Sequence, residues 1–201
     1  MKLPFVALAA LGLVGCAAEP VASAPTTTSA DLQAAPFTWP VPAGWRSETI
    51  PFPLGFAPTL PHRGTEELRF APKFFDPKSP TYFTYSFAFV TEDQAPIPPA
   101  ALATELTTYF RGLMSAVTHA PSDPSLHSAT IVPDPQHENA MLGTVHTIDG
   151  FGDQRALELH LEATTVTCGQ RQVVVASLSP RADDAIWTEL RGVRASFTCA
   201  P

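Results

Sequence analysis

The stretch at 81–90, TYFTYSFAFV, constrains the fold more than any other part of the chain. Phe83, Tyr85, Phe87 and Phe89 occupy alternate positions, so an extended backbone sets all four rings on one face and Tyr82, Thr84, Ser86 and Ala88 on the other. Four rings in one row bury a large apolar area and belong in a core. This is therefore a strand with an aromatic core face. The period then changes. After Pro98-Pro99, residues 100–117 place Leu102, Leu106, Tyr109, Leu113 and Val117 at helical spacing, with Phe110 and Met114 widening the stripe. Proline just inside the start suits a helix N-terminus, where its missing N–H costs nothing.

Two-residue alternation returns downstream. Short strands are predicted at 128–132 and 141–149, the second ending at an Asp149-Gly150 turn. Residues 155–166 put Leu157, Leu159 and Leu161 on one face and Glu158, His160 and Glu162 on the other. Residues 171–179, RQVVVASLS, are apolar throughout and read as a central strand. The last predicted element is a helix, with Asp183 and Asp184 at its N-terminus and Ile186, Leu190, Val193 and Phe197 as its buried stripe. Upstream, 37–45 carries Trp39 and Trp45 around a turn, and 66–72 is a short strand. The prolines of 49–61 forbid a central strand and predict an edge or a wrapped loop. This order predicts an α+β fold, an antiparallel β-sheet packed by two amphipathic helices, with a ferredoxin-like α+β sandwich as the alternative.

The N-terminus reads as an export signal: a basic residue, Lys2, then an apolar run over 3–14 too short to span a bilayer. Leu13-Val14-Gly15-Cys16 resembles the bacterial lipobox. That resemblance implies cleavage before Cys16, lipidation of its thiol and amino group, and firm membrane anchoring by more than one acyl chain. Ala17 follows where an Asp would suggest inner-membrane retention, so the expected location is the outer membrane of a bacterial envelope. Residues 17–36 are small, polar and proline-containing, and read as a flexible tether. The expected organisation is a signal peptide at 1–15, lipidated Cys16 and tether at 16–36, and one domain at 37–201. Net charge is −7, with no Lys/Arg cluster along the sequence. This argues against nucleic-acid binding and against electrostatic attraction to anionic lipid.

Cys168 and Cys199 remain, one after a strand and one after the last helix. In an exported chain they read as a disulfide. Closing a loop of about 30 residues contributes about 3–4 kcal/mol in the chain-entropy picture. The two ends of the domain carry a resemblance. PVPAGW at 40–45 resembles the first strand of Mog1/PsbP-like domains, and RASF at 194–197 resembles the ending of their last helix. The resemblance implies that fold, and a non-catalytic binding or assembly role, but transfers no site. The middle, FPLGFAPTLPHRGTEELRFAP, resembles uncharacterised bacterial proteins.

No nucleophile elbow, zincin helix, P-loop or dinucleotide turn is present in the sequence. His119, His127, His137 and His146 lie in or beside loops with Asp123, Asp134 and Glu138, residue types that bind Zn²⁺ but at spacings of no known ligand motif. Glu66 and Glu67 adjoin Arg63 and Arg69, which reads as surface or edge ion pairing. Three functions follow: an anchored non-catalytic domain that binds an envelope partner, a metal- or small-ligand-binding lipoprotein, or a hydrolase assembled only in three dimensions. The first is favoured, with no cofactor. Its expected contact surface is Phe56, Leu60, Phe74 and Phe75, in proline-rich segments that cannot be regular central strands.

Overall fold

The computed structural model describes residues 37–182 and 185–199. Cys16, the signal and tether, and Asp183-Asp184 lie outside the described residues. In chain order the elements are β1 (Phe37–Thr38), β2 (Arg46–Pro51), β3 (Gly64–Phe70), β4 (Tyr85–Thr91), α1 (Pro99–Thr118), a 3₁₀ turn (Pro124–Leu126), β5 (Ser128–Pro133), β6 (Ala140–Ile148), β7 (Ala156–Cys168), β8 (Arg171–Ser179), α2 (Ala185–Ala195) and β9 (Thr198–Cys199). Seven strands form one antiparallel sheet in the order β2-β3-β4-β8-β7-β6-β5, and β1 pairs with β9 beside it. Two meanders thus meet at β4 and β8. Between them α1 carries the chain from mid-sheet to the far edge, and β5 to β8 walk back. This is the predicted α+β class. It is not the β-α-β-β-α-β order of a ferredoxin-like sandwich, so that alternative is excluded.

At β4 and β8 the sheet is covered on both faces. Phe87, Phe89, Leu159, Leu161, Val174, Ala176 and Leu178 face one apolar core with Leu102, Leu106, Phe110 and Met114 of α1. Ala88, Val90, Val173 and Val175 face a second core with Ile186, Trp187, Leu190 and Val193 of α2, plus Trp39, Trp45 and Phe197. The β4 strand is consequently buried along its whole length. Its second face is solvent-free because its hydroxyls pair across the ladder: Ser86 Oγ with Ser177 Oγ at 2.8 Å, and Thr84 Oγ1 with Ser179 Oγ at 2.9 Å.

The predicted strand at 81–90 begins later, at Tyr85. Residues 81–84 form a turn in which Thr84 N–H donates to the Thr81 carbonyl at 3.2 Å and Phe83 takes φ 51°. The Phe83 ring remains in the core at 1% exposure, so the row of rings survives the break in the strand. The proline-rich stretch after β2 is a wrapped loop whose Phe52, Leu54, Ala57 and Leu60 plug the α1 side of the core. α1 approaches that loop at Gly112, where an added Cβ would sit 1.9 Å from the Phe56 carbonyl oxygen. Cys168 and Cys199 form a disulfide with Cα atoms 5.2 Å apart, tying the end of β7 to β9.

Candidate functional site

α2 packs its apolar stripe chiefly onto β4 and β8 and reaches β7 through Arg191 and Arg194. It is held in place from the N-terminal side. Trp39 Nε1–H donates to the Val193 carbonyl at 2.9 Å, and Trp45 Nε1–H donates to Glu189 at 2.8 Å. Arg69 stacks 4.5 Å over Trp39 and donates to its carbonyl at 2.7 Å. Among the described residues no helix lies over the same face of β5, β6 and β7. Register places Val132, Leu142 and Glu162 in one row there, Thr130, Thr144 and His160 in the next, and Ser128, His146 and Glu158 in the third. Val132 and Leu142 are exposed neighbours.

A cleft of about 660 Å³ lies where this open face meets α2. Leu142 and Glu162 line its floor, Arg191 and Arg194 one wall, and residues 134–138 the other. Arg191 donates to Glu162 Oε1 at 2.5 Å and Arg194 to Oε2 at 2.7 Å. Partial burial raises the Glu162 pKa, but hydrogen bonds from both guanidinium groups outweigh this and hold it below the usual range. Two guanidinium groups thus share one carboxylate at the centre of the cleft, which leaves an excess of positive charge there. The cleft offers shape, two guanidinium edges and an apolar floor, the properties of a binding groove.

The four predicted histidines do not come together. His119 is the exposed C-cap of α1. His127 is buried, with Nε2 2.7 Å from Ser122 Oγ and Nδ1 3.0 Å from Thr147 Oγ1; burial, then the charge of Arg111, depresses its pKa and keeps it neutral. His137 pairs with Asp134 at 2.8 Å on the cleft wall, where Glu138 is exposed, and His146 lies 3.6 Å from Glu158 on the open face. Asp123 caps the 3₁₀ turn by accepting from Ser125. Among the described residues no three His, Cys, Asp or Glu side chains converge as a metal site would require. Of the expected contact surface, Leu60 and Phe74 are core residues, Phe56 is half-buried against Tyr109, and Phe75 is 46% exposed.

The reading of Glu66, Glu67 and Arg69 as surface ion pairing is corrected: all three are buried. They sit on β3, and β3 is not an edge but lies between β2 and β4. Glu67 is satisfied by Thr49 at 2.9 Å and by Arg69 at 3.7 Å. Glu66 points into the α1-side core with neither carboxylate oxygen in a well-formed hydrogen bond, and the nearby Tyr109 hydroxyl only partly offsets the cost of burial. Burial raises its pKa to about 8, with a further rise from Glu48. One polar centre escapes sequence reasoning altogether. His62 is 7% exposed, with Nδ1 2.7 Å from Asp93 and Nε2 3.0 Å from Glu105. Burial alone would lower its pKa, but hydrogen bonds and charge from Glu105 and Asp93 dominate and raise it. With both nitrogens committed to carboxylates, the imidazolium fastens the loop to α1 and has no free lone pair for base catalysis. Its partners are 31 and 43 residues away, beyond any spacing rule.

No protein-family model, no curated protein and no solved structure matches the chain.

Proposed function

We propose that this chain is a lipid-anchored bacterial envelope protein, held to the outer membrane through Cys16, whose Mog1/PsbP-like domain works by binding a partner and not by catalysis. The observation that carries the binding role is the uncovered half of the sheet beside α2, with its cleft between Leu142, Glu162, Arg191 and Arg194. Its ionic groups are paired with one another, which favours recognition by shape and hydrogen bonding over bond-breaking chemistry. The ligand-contact role passes from Phe56, Leu60, Phe74 and Phe75 to this face, because Leu60 and Phe74 are core residues. The anchoring role rests on the lipobox-like Leu13-Val14-Gly15-Cys16.

Two measurements test the two halves separately. Mass spectrometry of the membrane-extracted protein is expected to show an acylated N-terminal Cys16; an unmodified mature chain starting beyond it would end the anchor. A photo-crosslinking amino acid at Leu142 is expected to give one discrete envelope adduct, and the same probe at exposed Leu126 none. Equal labelling at both positions, or none at Leu142, would end the cleft as the binding site.

A further inference from the structure

The mature chain from Cys16 onward keeps only two lysines, Lys73 and Lys78, and both lie in the single loop between β3 and β4. Arg46, at the start of β2, stacks 5.3 Å over the ring of Phe75 in that loop. The loop is fixed by its own turns: Asp76 N–H donates to the Lys73 carbonyl at 2.9 Å, and Ser79 N–H to the Asp76 carbonyl at 2.8 Å. Lys73, Phe75 and Arg46 share one surface hollow with Pro72 and Asp76. All three cations are exposed, and none makes an ion pair among the described residues. Phe75 stands out beside them at 46% exposure. Pro72 abuts the turn at Gly44, where an added Cβ would be 3.6 Å away, and the same turn carries Val41, also 45% exposed.

We propose that this patch, Phe75 with Arg46 and Lys73 in one hollow and Lys78 further along the same loop, rests on an anionic phospholipid surface and orients the tethered domain against the membrane. The proposal rests on the anchor at Cys16. An aromatic ring among long cationic side chains suits the headgroup region, where the ring enters the apolar boundary and the cations meet phosphates. The chain's net charge argues against lipid attraction only if charge is spread evenly. Screening confines the interaction to about 8–10 Å, and within the hollow Arg46 and Lys73 outnumber Asp76, while nearby Asp149 and Asp153 are taken up by Tyr82 and Arg155. The remainder of the mature chain then carries all of the net negative charge, which turns that side away from the bilayer. The position fits an anchored chain. Val41 is four residues from Phe37, so it lies within about 14 Å of the first described residue. The 20 residues of 17–36 span at most about 70 Å. Such a short leash keeps the patch at high effective concentration over the bilayer, where a weak contact suffices.

The test uses residues 16–201, coupled through the Cys16 thiol to a maleimide phospholipid; Cys168 and Cys199 are taken up by their disulfide. Supplying the tether chemically makes the outcome independent of whether a cell acylates Cys16, which mass spectrometry decides separately. Phe75→Trp serves as reporter in vesicles of phosphatidylethanolamine and phosphatidylglycerol brominated near the headgroup. Emission quenching at least twofold above that of the parent chain, whose three tryptophans are buried, is expected. Quenching should return to the parent level in the Lys73→Glu/Lys78→Glu variant, in 0.5 M salt, and in brominated phosphatidylcholine alone. Quenching no greater than the parent's, or quenching indifferent to salt and to lipid charge, overturns the proposal. So does a protein adduct at residue 75 in native envelopes without lipid quenching, since the patch would then belong to a protein partner.

Discussion

Glu66 should make this protein lose stability as pH rises from 4.5 to about 8, and by a large amount. Its carboxyl is fully shielded, its oxygens are in no well-formed hydrogen bond, and burial lifts its pKa from 4.5 to about 8. Below pH 4.5 the group is protonated in both folded and unfolded chains and contributes no pH dependence. Between 4.5 and 8 the folded chain holds a proton that the unfolded chain has released, so stability falls with pH by up to about 1.4 kcal/mol per pH unit. Above about 8 both states are ionised and the cost is complete, about 5 kcal/mol in total and about 3 kcal/mol of it already present at pH 7. The perturbation is Glu66→Gln, close in shape and unable to titrate. Urea unfolding at intervals from pH 4 to pH 9 gives the stability of each chain. The variant-minus-parent difference should be flat below pH 4.5, climb through neutrality and level off near pH 8.5. Taking the difference cancels His62, His127 and every other group common to both chains. A difference changing by less than about 1 kcal/mol over that range would mean that Glu66 is solvated, and the reasoning fails.

Gly112→Ala should destabilise by about 1–3 kcal/mol, although alanine is the better helix former, because its Cβ meets the Phe56 carbonyl; a thermal melt decides the sign. Phe87→Ala, at a position 1% exposed, should cost about 3–5 kcal/mol in urea unfolding, and a loss under 1 kcal/mol would refute the face assignment. Replacing both Cys168 and Cys199 by alanine should cost about 3–4 kcal/mol, matched by reduction of the parent chain. The His62 proton resonance should titrate above 6.5, and Glu105→Gln should move the midpoint down. Its contribution to stability is present in full below pH 6.5 and is lost as pH rises through the folded-state pKa.

Much of this architecture is legible from period alone. The row of rings at 83–89, the stripe of α1, the leucines of β7 and the apolar run of β8 each fall where alternation or helical spacing puts them. What period could not supply was the second covered face of β4. Thr84, Ser86 and Ala88 look like a solvent face, and their burial depends on Ser177 and Ser179, more than 90 residues away, supplying the matching hydroxyls. Glu66 and Glu67 misled for the same reason. A carboxylate beside an arginine suggests a surface pair, whereas strand order places β3 inside the sheet and alternation sends the two acids into different layers. The contact surface read from the proline-rich loops failed at Leu60 and Phe74, because a loop that cannot donate to a ladder can still fill a core with its side chains. The cleft beside α2 left no mark in the sequence. It lies where Arg191 and Arg194 of α2 reach Glu162 of β7 and the open rows of β5 and β6 begin, a property of layer packing.

The disulfide and the small β1-β9 pair acquire a common purpose if the chain is tethered at its N-terminus. β1 has only two residues, paired with β9 at Phe37–Cys199 and Thr38–Thr198, a ladder too short to hold alone against fraying. Three further contacts hold the entry strand and the segment that follows it. The Phe37 ring stacks on Phe197 at 5.2 Å, the Trp39 indole bonds the Val193 carbonyl, and Arg69 clasps the Trp39 carbonyl from β3. The disulfide fixes β9 to the end of β7 in the main sheet. Load entering at Phe37 is therefore met first at β1 and passed to β9, α2 and β7, and through Arg69 to β3. The β2-β3-β4 meander is where Arg46, Lys73 and Phe75 sit, so Arg69 joins the entry segment to the strands that carry the proposed membrane patch. The cleft shares β7 and α2 with the entry point, so the proposed partner site and the proposed anchor are joined through the disulfide and the β1-β9 pair.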